Sequence, residues 1–528
     1  MAPRAQCDRG LYRRAVRAEL ERLPNVRFRQ GTVSRFLVEG GRVTGVVTTD
    51  GRRFSARAVV VTAGTFLRGR IFVGLESQIP AGRAVKRHRW KLRKYCRTWS
   101  YNRTLQDGTP PRIDGRSVDF ARLERQSGDA QPYWFSHFER HPHPKQLPCY
   151  LTHTTDRLRD IVTAHLHQSA MYGGQISGRG PRCCPSIEDK IVRFPEARRH
   201  QVFLEPEGLD TTEMYVNGLS TSLPAGVQLD YLRTVPGLEA VDMTRPGYAI
   251  EYDYFPPTQL DHRLAVKAIG GLFFAGQVNG TTGYEEAAGQ GAVAGLNAAA
   301  EALGKPPVEF PRDQSFIGVM VDDLVTRGVD EPYRLFTSRS EFRLLLRQDN
   351  ALRRLLPTTL SLGLLSVAER AVAEERLARE DKALSGAAAT AVRPGDVNEY
   401  LEAIGERPIG EPTRIAEIAR RPGVSLHELF VRAEADFGDP EWSHWAEVEL
   451  RYGGYLDRER VMAERLRDLE GFRIPEGIDF LAMNAVSFEA REKLTVVRPA
   501  TLGHASRIPG ITPSDLQVLM FEVSKRRN

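Results

Sequence analysis

The segment GGLFFAGQVNGTTGYEEAAGQGAVAGLNAAAEAL, residues 270–303, constrains the fold more than any other stretch of this chain. Its apolar start reads as a buried strand, its middle as a Gly/Thr/Asn loop, and its end as an Ala-rich helix beginning near Tyr284. Small residues on that helix allow close packing against a sheet. In the loop, Gly276, Gln277, Asn279, Gly280 and Thr281 let a flat ligand approach the backbone, and the helix amides behind them face anionic or carbonyl oxygens. That suits a flavin ring or a phosphate. The same glycines also serve a tight turn needed only for packing, and the residues by themselves leave both readings open. A second apolar strand, Val59-Val60-Val61, runs into Ala63-Gly64-Thr65. Two such strands ending in glycine are what a doubly wound nucleotide fold presents at its ligand crevice.

The remaining pattern divides the 528 residues into roughly three to four domains' worth of chain. A helix from Arg9 to Leu23 leads into strand-like alternation with turns at Gly40-Gly41 and Asp50-Gly51. From about Pro110 to Tyr248 the chain is turn-rich and reads as one mixed α/β domain; after about Pro306 it is largely helical. Trp445, Val448, Tyr452, Tyr455, Met462, Leu466 and Leu469 form one apolar stripe on a long helix, which Gly453-Gly454 interrupts and weakens. The Ala-rich stretch Ser385 to Thr390 reads as a short linker, and no internal repeat is visible. No stretch approaches the ~18 apolar residues of a membrane span, and the N-terminus has no secretory h-region. Five cysteines give no disulfide framework, so the expectation is a cytoplasmic protein without membrane contact.

The net charge of +7 is local in origin. Lys86 to Arg103, KRHRWKLRKYCRTWSYNR, holds eight Lys/Arg and no acid, and without it the chain is close to neutral. Interleaved with Trp90, Tyr95, Trp99 and Tyr101, such a run suits phosphate contact and base stacking, or simply a solvated stretch.

The third constellation is GRGPRCCPSIEDK. Ser186 with Asp189 marks a helix start. A thiol just before a helix N-terminus, flanked by Arg182 and Lys190, has a raised thiolate fraction. Cys184 is therefore a candidate nucleophile, against the competing reading of a buried structural thiol. His137, His141, His143, Cys149 and His153 fall within seventeen residues but match no metal-ligand spacing, so no metal is expected. No Ser sits in a nucleophile-elbow context.

At this point the chain resembles a known family. The strings RAQCDRGLYRRAV, VVVTAGTFLRGRIFVG, GTPPRIDGRSVDF, GPRCCPSIEDKIVRF, HQVFLEPEGL, NGLSTSLP, RPGYAIEYDYF, GLFFAGQVNGTTGYEEAAGQG, EPYRLFTSRSEFRLLLRQDNA and TLGHASRIPGITPSDL are similar to those of the tRNA uridine 5-carboxymethylaminomethyl modification enzymes, the MnmG (GidA) flavoproteins. The resemblance covers nearly the whole chain. It implies an FAD-dependent fold of the two-dinucleotide-binding type, with an inserted α/β domain and a C-terminal all-α domain. The boundaries implied are 1–110 and 251–305 for the two parts of the FAD domain, 111–250 for the inserted NADH domain, and 306–528 for the helical domain.

The implied reaction adds an aminomethyl or carboxymethylaminomethyl group to C5 of the wobble uridine of tRNA. Methylenetetrahydrofolate supplies the carbon, and the GTPase MnmE is the partner of a homodimer in a heterotetramer. Flavin contacts carried over are Val33 and Gln277, beside Gly64, Gly276, Asn279, Gly280 and Thr281. The nicotinamide segment carried over is Gly180, Pro181, Cys183, Pro185, Ser186, Ile187, Glu188, Asp189, Ile191, Val192, Arg193 and Phe194. Cys184 matches a cysteine proposed to add to the uracil ring, with Arg182 and Lys190 in the same motif. A thiolate adding beside C5 makes that carbon nucleophilic, and the flavin carries the redox step.

Two departures stand out. The family opens with a strand and a G-x-G-x-x-G loop for the flavin pyrophosphate, and the resemblance here starts after it, within the FAD domain and lacking the first βαβ unit. The resemblance also lapses from about Val85 to Asp107, where Gln106-Asp107 replace a family Lys before GTPPRI. This gap coincides with the basic run, and the reading preferred here is a frame-shifted segment. The competing reading of the whole chain is a catalytically impaired form that keeps only tRNA or partner binding. The folate-dependent tRNA uridine methyltransferases share the flavin fold but lack the long helical domain.

Overall fold

The computed structural model describes residues 4–75, 77–80, 103–130, 133–178, 180, 185–435 and 440–525. Lys86 to Asn102, and Pro181, Arg182, Cys183 and Cys184, lie outside these residues, so neither the basic run nor the candidate nucleophile has a structural description.

The first helix spans Arg9–Arg22 and is capped by Asp8, whose carboxylate accepts the Leu11 amide at 2.7 Å. Val33–Glu39 then turns through Gly40 and Gly41, at φ +54° and +77°, into the antiparallel strand Arg42–Thr48. Two consecutive residues at positive φ are what a twist-matched two-residue hairpin requires. Arg53–Ser55 completes a three-stranded sheet. Val59–Val61 pairs in parallel with Leu272–Phe274, Val60 opposite Phe273, so the two glycine-terminated strands expected from sequence lie side by side. Their core draws in Phe36, Val293, Ala294 and, beyond the Ala-rich helix Tyr284–Ala302, Val321 and Val325.

A four-stranded sheet runs in the order Ser77–Pro80, Arg70–Val73, Tyr248–Tyr254, Arg103–Thr109, which leaves Arg103–Thr109 on an edge. Leu105 and Asp107 pair with Tyr252 and Ile250 and share a face with them; Gln106 pairs with Glu251 and faces the other way. Residues 103–107, which the resemblance does not cover, thus form a regular ladder.

Between these strands sits a six-stranded antiparallel sheet, from Met243–Arg245 at one edge to Glu124–Gln126 at the other. It packs against three short helices, Asp156–His165, Ile187–Arg193 and Ala225–Leu232, around a core from Ile113 to Val241. This is the mixed α/β unit read from its turn-rich sequence. The rest is helical, with separate cores around Ile415, Leu429 and Trp445 and around Phe480, Leu494 and Leu519.

Two local expectations are corrected here. Ser385 to Thr390 is no linker: Val367–Ala389 is one helix, and Ala383 and Ala387 are fully buried in its core. The long helix Pro440–Gly471 is continuous, but its buried apolar positions are Trp445, Ala446, Leu456 and Ala463, while Tyr452, Tyr455, Met462 and Leu469 are exposed. Its two ends pack against different neighbours, Trp445 in one core and Ala463 with Phe342 and Leu346 in another, so no single stripe serves both. Among the described residues no helix is long and apolar enough to cross a membrane.

Candidate functional site

The ends of the two parallel strands bring Gly64 and Gln277 together: a Cβ placed on Gly64 would sit 3.5 Å from the Gln277 side-chain oxygen. Gly276 (φ +86°) and Gly280 (φ +83°) turn the chain between strand and helix. At Gly280 a methyl group would fall 2.5 Å from Val329 Cγ2 and 3.0 Å from the Tyr254 ring, so side-chain size and backbone geometry both demand glycine.

The loop is held from behind by Gln290, a residue the sequence reading missed. Its side-chain oxygen accepts the Gly276 amide (3.1 Å) and Asn279 Nδ2 (2.8 Å), and its Nε2 donates to Thr281 Oγ1 (3.0 Å) and the Glu286 carbonyl (3.1 Å). Asn279 and Thr281 are fully buried in this network. Their side chains therefore fix the loop's shape. The signal for Gln290 was present as polar residues at 286, 290 and 297 on the buried stripe of an otherwise small-residue helix. At that helix's start, Glu286 folds back over Gly283, where a Cβ would sit 1.5 Å from its Oε2. Glu286 is paired with Arg334 Nε at 3.1 Å and accepts the Leu335 amide at 2.8 Å, while Glu285 beside it in the first turn is exposed. Val33 is paired with Thr48 in the three-stranded sheet.

The segment Gly180 to Phe194, expected to take a nicotinamide, approaches the edge strand from the face of Gln106. A Cβ on Gly180 would meet Gln106 Nε2 at 2.5 Å. Beyond the undescribed residues, Pro185 leads to the N-cap Ser186, which accepts the Asp189 amide at 3.0 Å as its sequence predicts. Ile187, Glu188, Asp189 and Ile191 are buried, whereas Val192, Arg193 and Phe194 are exposed. Glu188 Oε1 accepts the Ser222 amide (2.9 Å) and the hydroxyls of Thr221 (3.1 Å) and Ser169 (3.2 Å). Burial raises its pKa, and those hydrogen bonds only partly offset the rise. Lys190 donates to the Gly218 carbonyl at 2.7 Å. These contacts make Glu188 and Lys190 braces inside the six-stranded unit.

The first-unit family model, described as glucose inhibited division protein A, matches residues 1–306. A second, described as the tRNA modifying enzyme MnmG/GidA C-terminal helical bundle, matches residues 462–528. The chain belongs to the GidA family. It is 44% identical, over 99% of its own length and 84% of the relative's, to a protein of Exiguobacterium sibiricum named tRNA uridine 5-carboxymethylaminomethyl modification enzyme MnmG. A Salinibacter ruber protein of the same name is 44% identical over 98% of this chain and 80% of that one. The solved structure of Aquifex aeolicus GidA superposes with a TM-score of 0.88 at 44% identity, covering 99% of this chain and 85% of that chain.

A further cluster in this GidA-family chain was not foreseen. His262 and His504 stack, ring centroids 3.7 Å apart and planes 15° from parallel, next to Asp322. Asp322 takes hydrogen bonds from His262 Nε2 (3.0 Å), Arg507 Nε (2.6 Å) and Nη2 (2.8 Å), and Arg312 Nη1 (2.7 Å). Burial pushes its pKa up, but His262 and Arg507 outweigh that and hold the carboxyl well below its usual range. Burial, and then His262, lowers His504. The three side chains could in principle hold a metal ion, yet near-parallel stacked rings do not share a point about 2 Å away in both ring planes. With both Asp322 oxygens already committed, the cluster acts as an ionic joint between the first unit and the C-terminal helices. The sequence-noted histidines behave otherwise: His143 packs on Trp134 and His141 pairs with Glu139 at 3.3 Å.

Proposed function

We propose that this chain catalyses the flavin- and NADH-dependent addition of an aminomethyl or carboxymethylaminomethyl group to C5 of the wobble uridine of tRNA, with methylenetetrahydrofolate as carbon donor. The observation that carries the reading is the meeting of Gly64 and Gln277 at the ends of two parallel strands, on a chain 44% identical to MnmG proteins over nearly all its length. Open parallel sheets bind ligands at just such strand ends. FAD bound there would supply the hydride chemistry.

The protein's own residues do the rest. Gly64 and Gly276 allow close approach, Gln277 offers a half-buried carboxamide, and Gln290 keeps the loop rigid without touching the ligand. The nicotinamide segment, from Gly180 to Phe194, is the place proposed for NADH, with its exposed end at Val192, Arg193 and Phe194. Cys184 is the proposed nucleophile at uracil, with Arg182 to favour its thiolate and Lys190 to hold the segment to Gly218. The C-terminal helices are the proposed contact for tRNA and the GTPase MnmE, in a homodimer-based heterotetramer acting in the cytoplasm. The second reading is a chain that binds tRNA or its partner without catalysis.

Visible absorption after incubation with FAD and desalting separates the two. A retained flavin band, followed by modification of tRNA in the presence of NADH and methylenetetrahydrofolate, is the expected result. Absence of the band leaves only the binding reading.

A further inference from the structure

We propose that the cavity lined by Arg327, Phe336, Ser338, Arg339, Ser340 and Glu341 holds one unpaired nucleotide of the tRNA, its phosphate between the two guanidiniums and its base on the Phe336 ring. The inference rests on the function just proposed and gives part of its nucleic-acid substrate a place.

The cavity measures about 550 Å³, a volume suited to a ligand of nucleotide size. Most of its lining comes from the string EPYRLFTSRSEFRLLLRQDNA, which the proposed flavin and nicotinamide segments leave unused. Hydrogen bonds fasten this stretch to the candidate flavin loop. The Tyr333 amide donates to the Gly280 carbonyl at 2.9 Å, and the Leu335 amide to Glu286 Oε1 at 2.8 Å. Phe336 follows directly and opens the tight turn Thr337–Arg339, in which the Arg339 amide donates to the Phe336 carbonyl at 3.0 Å. That turn brings ring and guanidinium to one cavity. Arg327 reaches it from a π-helical turn, Asp323–Arg327, ended by Gly328 at φ +70°. Turns of this kind are rare and frequent at functional sites. Asp323, Leu324, Val325 and Thr326 are buried, and Arg327 is the residue of the turn that is exposed.

Both guanidiniums have donors to spare. Arg327 Nη1 and Arg339 Nη1 each lie 3.8 Å from the buried Asp323 carboxylate, beyond hydrogen-bond reach. Asp323 already accepts from Arg312 Nη1 (3.2 Å) and from the Tyr333 hydroxyl (3.0 Å). Arg339 is oriented by its Nε, which donates to the Arg334 carbonyl at 2.7 Å, and sits 4.2 Å over the Tyr333 ring. Among the described residues its Nη groups make no hydrogen bond, and neither does the Arg327 guanidinium. The carboxylate in the lining, Glu341, is taken by Arg312, whose Nη2 donates to its two oxygens at 3.1 and 3.0 Å. Phe336 is 48% exposed. Two guanidiniums with open donors beside an exposed aromatic ring match a phosphodiester and a stacked base. The reaction needs such a grip, because the wobble uridine must leave its stack to reach a ring beside Gly64 and Gln277.

The test measures binding of an unmodified tRNA transcript, with uridine at the wobble position, to the full chain over a range of salt concentrations. Arg327→Gln/Arg339→Gln should weaken binding about tenfold or more. It should also flatten the plot of log affinity against log salt by about 0.7, the share of one single-stranded phosphate. Phe336→Leu, apolar but unable to stack, should weaken binding at least about fivefold with the slope unchanged, whereas Phe336→Tyr should stay near wild type. Arg327 makes no hydrogen bond that a fold depends on, so Arg327→Gln alone keeps the test valid where loss of Arg339 disturbs the Tyr333 stack; Arg327→Lys should recover most of its loss. Flavin retention and the melting profile should match wild type in Arg327→Gln and Phe336→Leu. Wild-type affinity and slope in the double variant overturn the site and leave the proposed function standing. Unchanged tRNA binding with a raised KM for methylenetetrahydrofolate also overturns it, and gives the cavity to a small carboxylate. Wild-type chain that retains flavin yet binds no tRNA at any salt overturns the proposed function itself.

Discussion

Replacing Gln290 by leucine removes the carboxamide that ties the candidate flavin loop to the helix behind it, at nearly constant side-chain volume. Three buried groups then lose their partner: the Gly276 amide, one Asn279 Nδ2 hydrogen and the Thr281 hydroxyl. Each orphaned buried group costs about 1–3 kcal/mol. Asn279 retains its second bond, to the Phe274 carbonyl at 3.0 Å, and the loop relaxes somewhat, so a net loss of about 3 kcal/mol is expected. Because the chain has several cores, a global unfolding midpoint would report the wrong unit. Hydrogen exchange of peptides covering residues 272–290 reads the local opening directly. A 3 kcal/mol loss corresponds to roughly 150-fold faster exchange there, with the six-stranded unit unchanged. Flavin retention should fall in parallel, since Gln277 would no longer be held beside Gly64. Exchange within about threefold of wild type, with normal flavin uptake, refutes the claim that Gln290 organises this loop.

Three other outcomes follow from the same contacts. Asp322→Ala leaves Arg312 and Arg507 buried with less counter-charge, at a cost of about 3–5 kcal/mol; limited proteolysis should release the C-terminal helices sooner, and unchanged cleavage would refute the joint. Glu188 has a raised folded pKa, so the native state holds its proton more tightly and stability from this group is greatest at low pH, then declines as pH rises past the unfolded value. Glu188→Gln should therefore raise the melting temperature at pH 8 more than at pH 5, measured by calorimetry. Lys267, lowered to about 8 by burial, donates to the Thr258 carbonyl (3.0 Å) and the Val497 carbonyl (2.7 Å). Its unfolded form binds more protons between pH 8 and about 10.4, so wild-type stability should gain across that window relative to Lys267→Met, whose curve lacks the gain.

Much of the site was legible in the residues. The strand–loop–helix at 270–303 formed as read, because apolar runs, glycines at positive φ and small helix residues each act within a few positions of one another. The Ser186 helix start was equally local. What sequence left hidden involves partners far apart in the chain. Asn279 and Thr281 looked like ligand contacts because polar loop residues usually face outward; here Gln290 turns them inward. The stripe on Pro440–Gly471 failed for a related reason, since two different cores claim its two ends.

The sequence by itself determined where strands end in glycine, which helices are capped and that the last two-fifths of the chain is helical, all consequences of short-range backbone preference. Only the tertiary structure decided that residues 103–109 become an edge strand beside Tyr248–Tyr254, and that Asp107 is partly withdrawn from water there. It alone decided that His262 stacks on His504, 242 positions away. Burial, and the pKa shifts and hydrogen-bond demands it creates, depends on which distant surfaces meet, and side-chain periodicity carries no record of that meeting.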